Sequence, residues 1–201
     1  MTRERVAILI SGRGSNMAAL IDAAKAADYP AEIVLVLSNV ADAEGLARAR
    51  EAGIATDVIE HKPFGKDREA FDRAVDAALE SHRIQIVCLA GFLRLLTPWF
   101  VERWKGRLIN IHPSLLPAFK GLNTHARAIA EGAKKHGATV HYVVPELDSG
   151  PIIAQESIAV LPDDTPDSLA ARVLAVEHRL YPLALRRVAA EKNMTDIKSP
   201  T

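Results

Sequence analysis

The chain has 201 residues, with 25 Lys and Arg against 25 Asp and Glu, and 49% of its residues are hydrophobic. A formal charge of zero argues against a polyanion as the main partner, because phosphate-backbone binding draws on a surplus of cations. The hydrophobic share excludes a disordered chain, the length fits one domain, and the 5% of aromatic residues predicts a mainly aliphatic core.

The first predicted element is a strand over Arg5–Ile10, a short β-branched run bounded by Ser11-Gly12-Arg13-Gly14-Ser15-Asn16. Its apolar run, VAILI, is too short for a signal peptide and leads into a Gly-rich turn in place of a cleavage site. An Ala-rich helix follows over Met17–Ala27, then a strand over Glu32–Leu37, a helix over Ala43–Ala52, a short strand over Thr56–Ile59 and a helix over Lys66–Glu80. Ile84–Ala90 and Arg107–Ile111 are the next strands. Cys88, the only cysteine, lies inside the first of these and reads as a core residue; a lone cysteine excludes an internal disulfide and fits a reducing cytoplasm. Continuous apolar strands separated by helices predict a Rossmann-like, doubly wound α/β fold around a mostly parallel sheet.

After Pro113 the rhythm changes. A helix is predicted over Thr124–Gly132, then two strands over Ala138–Val144 and Ile152–Ile158 joined by the turn-rich PELDSGP, an antiparallel extension of the sheet. Asp164-Thr165-Pro166 starts a last helix, expected to reach about Ala190 with a bend at Pro182 and a frayed tail over 191–201. No apolar stretch reaches the roughly 18–20 residues that span a bilayer.

Three places carry polar residues suited to chemistry. In SGRGSN, a strand–turn–helix junction aims backbone N–H groups outward. That is either a phosphate cradle or a plain connection. The loop is neither GxGxxG nor a P-loop, and the second strand ends in Ser38-Asn39 without an acidic ribose ligand, so a monophosphate suits it better than a dinucleotide. In NIHPS, alternation puts Asn110 and His112 on one face at the carboxyl end of a strand, where open α/β sheets bind ligands. An amide beside an imidazole suits an oxyanion and a proton transfer; the alternative is a strand-end histidine satisfied by backbone. In LDSGP, Asp148 is either a turn residue or a carboxylate that favours the protonated form of His112. His61, His82, His125, His136, His141 and His178 show no metal spacing and read as surface or structural residues. Arg103, Lys105 and Arg107 read as a solvated helix end, and Glu177 stands out inside the apolar VLAVEHRLYP.

Together and in this order, ISGRGSN, SNVADAEGLARAREAGI, LAGFLRLL, INIHPSLLP, HGATVHYVVPELDSGPII and VEHRLYP resemble the phosphoribosylglycinamide formyltransferase family of purine biosynthesis, over about Val6 to Pro182. The resemblance implies the formyltransferase fold as a single domain over 1–201, with a nucleotide-binding half over 1–112 and a folate-binding and catalytic completion over 113–190. It implies that Asn110, His112 and Asp148 are catalytic, that Gly14, Ser15 and Asn16 hold the phosphate of glycinamide ribonucleotide, and that Glu177 binds its ribose. Arg68, Leu93, Arg94, Leu95, Leu96 and Asn110 fall on the family's folate-contacting positions. Arg13 is a departure, standing where a small polar residue is common; the variable Ala118-Phe119-Lys120 receives no role. The implied co-substrate is 10-formyltetrahydrofolate, with no metal, no nucleic acid and no membrane, in the cytoplasm. The alternatives are a formyltetrahydrofolate deformylase-like hydrolase and a non-catalytic nucleotide-binding module. The deformylase and the methionyl-tRNA and sugar-nucleotide formyltransferases fit less well, the first two for want of room for an extra domain.

Overall fold

A computed structural model describes residues 2–197. The elements run β1 (Glu4–Ile10), α1 (Ser15–Ala24), β2 (Ala31–Ser38), α2 (Glu44–Glu51), β3 (Ala55–Val58), α3 (Arg68–Ser81), β4 (Ile86–Leu89), α4 (Pro98–Arg103), β5 (Leu108–His112), α5 (Thr124–Ala130), β6 (Lys135–Tyr142), β7 (Ile152–Ala159) and α6 (Pro166–Ile197). One seven-stranded sheet has the order β3-β2-β1-β4-β5-β6-β7. The first five strands are parallel, and β6 and β7 pair antiparallel to β5 and to each other. This is the mixed, doubly wound sheet expected from the sequence. Strand order reverses between β1 and β4, so a crevice opens where their carboxyl ends diverge.

The period of two in β1 explains why both faces are covered. Val6, Ile8 and Ile10 pack against α1, α2 and α6, with Met17, Leu20, Leu46, Leu169 and Leu185. Ala7 and Leu9 point the other way, into a layer with Phe71, Val75, Leu79, Phe100 and Trp104 from α3 and α4. The aliphatic core expected from composition is therefore half right. The buried Tyr29 and Tyr181 lie on the α6 face, whereas all three buried phenylalanines and the buried tryptophan lie on the α3–α4 face. Cys88 is fully buried on the opposite face, and burial pushes its thiol up to about 12.

Three boundaries depart from expectation for identifiable reasons. β6 begins at Lys135, ahead of the expected Ala138, because Gly137 is a strand residue: a Cβ there would sit 2.1 Å from the Glu156 carbonyl oxygen of β7. The helix end read at Arg103–Arg107 belongs to α4, whose start was not given: Thr97 caps it, accepting a hydrogen bond from the Phe100 N–H, and Pro98 opens it. α6 runs past the expected Ala190 to Ile197, and 198–201 lie outside the described residues. Among the described residues, no helix is long and apolar enough to cross a membrane.

Helix α6 is tied to the middle of the sheet by Tyr181. Its fully buried hydroxyl lies 3.0 Å from the Leu89 carbonyl of β4 and 3.2 Å from the Ile109 carbonyl of β5. Tyr181→Phe keeps the packing and removes this shared donor. We expect a loss of about 1–2 kcal/mol in urea unfolding, with an unchanged far-UV spectrum.

Candidate active site

β5 delivers Asn110 and His112 to the carboxyl edge of the sheet. Ile109 and Ile111 belong to the α6-side core, so alternation turns Asn110 and His112 to the opposite face. The antiparallel neighbour completes the face, because Asn110 pairs with His141 and His112 with Thr139. Asn110 Nδ2 lies 3.3 Å from His141 Nε2, and His141 Nδ1 lies 2.9 Å from the Tyr142 carbonyl. A carbonyl only accepts, so Nδ1 carries a proton; with the ring neutral, Nε2 then accepts from the Asn110 amide. Burial lowers the His141 basicity, against the opposing pull of the Tyr142 carbonyl and of Asp148.

Asp148 comes from the loop between β6 and β7, which leaves the far end of β6 and folds back over the sheet face. Two backbone features permit this return. Asp148 adopts a positive φ of 48°, and Gly150 lies so close to β6 that a Cβ would stand 1.7 Å from the Tyr142 carbonyl oxygen. The loop delivers the Asp148 carboxylate to two histidines, with Oδ2 3.4 Å from His112 Nδ1 and Oδ1 3.8 Å from His141 Nε2. Oδ2 also accepts the Gly121 N–H at 2.8 Å. His112 is buried, and its Nε2 lies 2.9 Å from the Phe119 carbonyl. Both ring nitrogens of His112 thus face acceptors.

The other expected residues gather along the same edge. Gly14, with a positive φ of 70°, begins α1, and no side chain caps that helix. The N–H groups of Ser15 and Asn16 therefore belong to an uncapped first turn. Asn16 Nδ2 donates to Glu177 Oε2 at 2.5 Å, which brings α6 to the loop. Burial raises the Glu177 carboxyl above its usual range, partly offset by that bond. Arg13 is exposed and has no hydrogen-bond or ion-pair partner among the described residues. The segment after β4 carries Leu93 and Leu95, which are exposed at 74% and 62%, and Leu96, which is half-buried. Arg68 donates to the Leu95 carbonyl at 2.5 Å, and Arg94 lies over the Phe71 ring with its buried Nε unpaired. Asp72 of α3 anchors the end of this segment, accepting from the Thr97 N–H and hydroxyl at 2.6 and 2.7 Å.

His141 is the residue that sequence reasoning missed. Its signal is tertiary, since only the β5–β6 register sets it opposite Asn110. Behind the site, His136 Nε2 lies 3.2 Å from His125 Nδ1, and the Phe119 ring packs edge-on against His136.

The fold and this edge define a Rossmann-like protein with its polar cluster at the carboxyl ends of the strands, and the comparisons specify the class. Residues 4–185 match the formyl transferase model, and the chain belongs to that family. It is 47% identical over 180 residues to the phosphoribosylglycinamide formyltransferase of Escherichia coli K12, covering 90% of this chain and 84% of that protein. A crystal structure of phosphoribosylglycinamide formyltransferase from Brucella melitensis is similar with a TM-score of 0.90 and 55% identity, covering 94% of this chain and 97% of that one. The trifunctional purine biosynthetic protein adenosine-3 of Gallus gallus is 50% identical over 186 residues, where this chain covers only 18% of its length.

Two consequences are measurable. Gly150→Ala forces the Asp148 loop off β6. We expect about 1–3 kcal/mol lower stability in urea, together with shifted His112 ring signals in NMR spectra. His136 is fully buried, and its ring titrates at about 4, against 6.5 in an unperturbed chain, because of burial and then the neighbouring His125 and His112. Between those values the unfolded chain binds a proton that the folded chain refuses. Stability is therefore complete above pH 6.5 and falls by roughly 1–3 kcal/mol as pH drops toward 4. Urea midpoints across that range should flatten in His136→Asn; an unchanged slope would assign the effect to other groups.

Proposed function

We propose that this chain transfers the formyl group of 10-formyltetrahydrofolate to the primary amine of glycinamide ribonucleotide, a step of purine biosynthesis. The observation that carries the reading is the meeting of Asn110, His112 and Asp148 at the carboxyl end of β5, within a family of formyl transferases. The relatives named for this reaction, at 47% and 55% identity, support it.

In this reading the whole chain is one formyltransferase unit. Residues 1–112 hold the nucleotide, and 113–190 complete the folate site and the catalytic group. The N–H groups of Gly14, Ser15 and Asn16 receive the substrate phosphate at the start of α1, where the helix dipole favours an anion. Glu177, oriented by Asn16, accepts from the ribose hydroxyls. The folate lies along Leu93, Arg94, Leu95 and Leu96, whose exposed leucines offer apolar surface to a ring. Arg68 supplies a cation for the folate carboxylates while bracing the Leu95 carbonyl.

The amine nitrogen attacks the formyl carbon, and the carbonyl electron pair moves to oxygen. Asn110 Nδ2 and the His112 imidazolium donate to that oxyanion. In the structure His112 Nε2 faces the Phe119 carbonyl at 2.9 Å, and in this reading the formyl oxygen competes for that donor. Asp148 keeps His112 charged and, directly or through water, accepts the proton that the amine sheds. When the intermediate collapses, the bond from carbon to the folate nitrogen breaks, and that nitrogen leaves with the proton. Both substrates are small molecules. No metal and no covalent enzyme intermediate enters the sequence, and the reaction belongs in the cytoplasm.

Folate product formation with and without glycinamide ribonucleotide tests the reading. Turnover that requires the acceptor supports it. Turnover without the acceptor would instead indicate a hydrolase, and none under either condition a binding module. Within an active enzyme, His112→Ala and Asn110→Ala should each lower kcat by about 10²–10³. A His112→Ala enzyme at near wild-type rate removes His112 from the mechanism.

A further inference from the structure

Four loops meet at the crevice between β1 and β4, and the Ser11 side chain joins three of them. Its hydroxyl donates to Asn39 Oδ1 at 2.5 Å, at the end of β2, and accepts the Leu93 N–H at 2.8 Å. Its own N–H donates to the Gly91 carbonyl at 3.1 Å. Asn39 is buried, at 3% exposure, and its Nδ2 lies 3.2 Å from His61 Nδ1 in the loop after β3. The same His61 Nδ1 lies 3.3 Å from the Asn39 backbone carbonyl, so the loop after β3 meets Asn39 through both its side chain and its main chain.

These contacts fall between two places that the formyl-transfer reading makes into substrate sites. Ser11 directly precedes the loop that would hold the nucleotide, and Leu93 begins the segment that would hold the folate. Gly12 and Gly14 leave the loop with little side-chain packing of its own: a Cβ at Gly12 would meet nothing within 4 Å. The loop's other tie is to α2, where the Gly45 N–H donates to the Gly12 carbonyl at 3.0 Å. That bond holds the loop against α2, while the Ser11 N–H on Gly91 and the Ser11 hydroxyl on Leu93 hold it to the segment after β4, the hydroxyl being the tie nearer the leucines.

Resting on that reading, we propose that Ser11 is a positioning residue whose hydroxyl sets the distance between the two substrate sites, and so between the attacking amine and the formyl carbon. Ser11 touches neither reacting atom. Its effect is on alignment, and reacting atoms need to lie within about 3–3.5 Å, so a displacement near 1 Å costs on the order of 10²-fold in rate. A hydroxyl is suited to the task because one small group both donates and accepts. Alanine does neither, threonine does both, and cysteine does each weakly.

The test uses the full chain with glycinamide ribonucleotide and 10-formyltetrahydrofolate, at a temperature where urea titration shows every variant folded. Rates are expressed per nucleotide-binding site counted by calorimetry, so that a smaller folded fraction cannot pass for a slower enzyme. Ser11→Ala should lower kcat by about 10–100-fold with the nucleotide dissociation constant within about 3-fold of wild type, and Ser11→Thr should restore kcat to within about 3-fold. Should the alanine chain not fold, Ser11→Cys, close to serine in size, should show the same loss in kcat. Variants lacking the hydroxyl with kcat within 2-fold of wild type overturn the proposal, as does a kcat loss that threonine does not restore. A wild-type chain that transfers no formyl group to the ribonucleotide overturns the underlying reading, a result distinct from either.

Discussion

The polar face at the carboxyl edge depends on one reversal of direction: β6 runs against β5. In a parallel pair the residues of β6 would pass Asn110 and His112 in the opposite order. The antiparallel pairing instead sets His141 opposite Asn110 and Thr139 opposite His112. The Thr139 hydroxyl donates to the Ser114 carbonyl and accepts the Leu116 N–H, holding the chain just after His112. Gln155 of β7 donates to both Thr139 Oγ1 and the Leu116 carbonyl. The antiparallel extension is thus a frame for the segment that leaves β5, and the site inherits the rigidity of a sheet.

Burial gives this cluster its electrostatic character. His112, His141 and Asp148 are withdrawn from water, with side-chain exposures of 8%, 3% and 7%. Charges there are screened far less than at the surface, so small differences in contact separate the two imidazoles. His112 has a carboxylate oxygen near one nitrogen and a carbonyl at the other. His141 has one carbonyl and one amide, with the carboxylate farther away, and burial keeps it neutral. Two histidines within reach of one aspartate therefore have different partners: His112 faces two acceptors, and His141 faces the Asn110 amide and the Tyr142 carbonyl.

Much of this was legible in the sequence, and the limits have physical causes. The parallel core announced itself because strands buried on both faces are continuously apolar. The pairing of Asn110 with His112 followed from the two-residue period. The residues around Asp148 left a turn residue and a partner of His112 both open, because its approach to His112 depends on a loop folding back over a strand, which no local pattern encodes. Gly137 and Gly150 were misleading or mute for a related reason. Glycine signals a turn when read locally, yet at both positions it is required by another strand's carbonyl. His141 was lost among seven histidines, since its partner lies 31 positions away in the chain. The end of α4 was read from Arg103, Lys105 and Arg107, and its Thr97-Pro98 start was legible by the same rule that located α6.

The placement of both tryptophans on one face carries a consequence for spectroscopy. Trp99 and Trp104, the only two tryptophans, both belong to the α4 region and to the core layer under α3 and α4. Trp104 is sealed from water with its indole N–H on Asp76, whereas Trp99 lies under the Arg73 guanidinium. Intrinsic tryptophan emission is therefore a one-sided probe of this molecule. It reports the loosening of the α3–α4 layer, while α1, α2 and the long α6 on the other side can rearrange in optical silence.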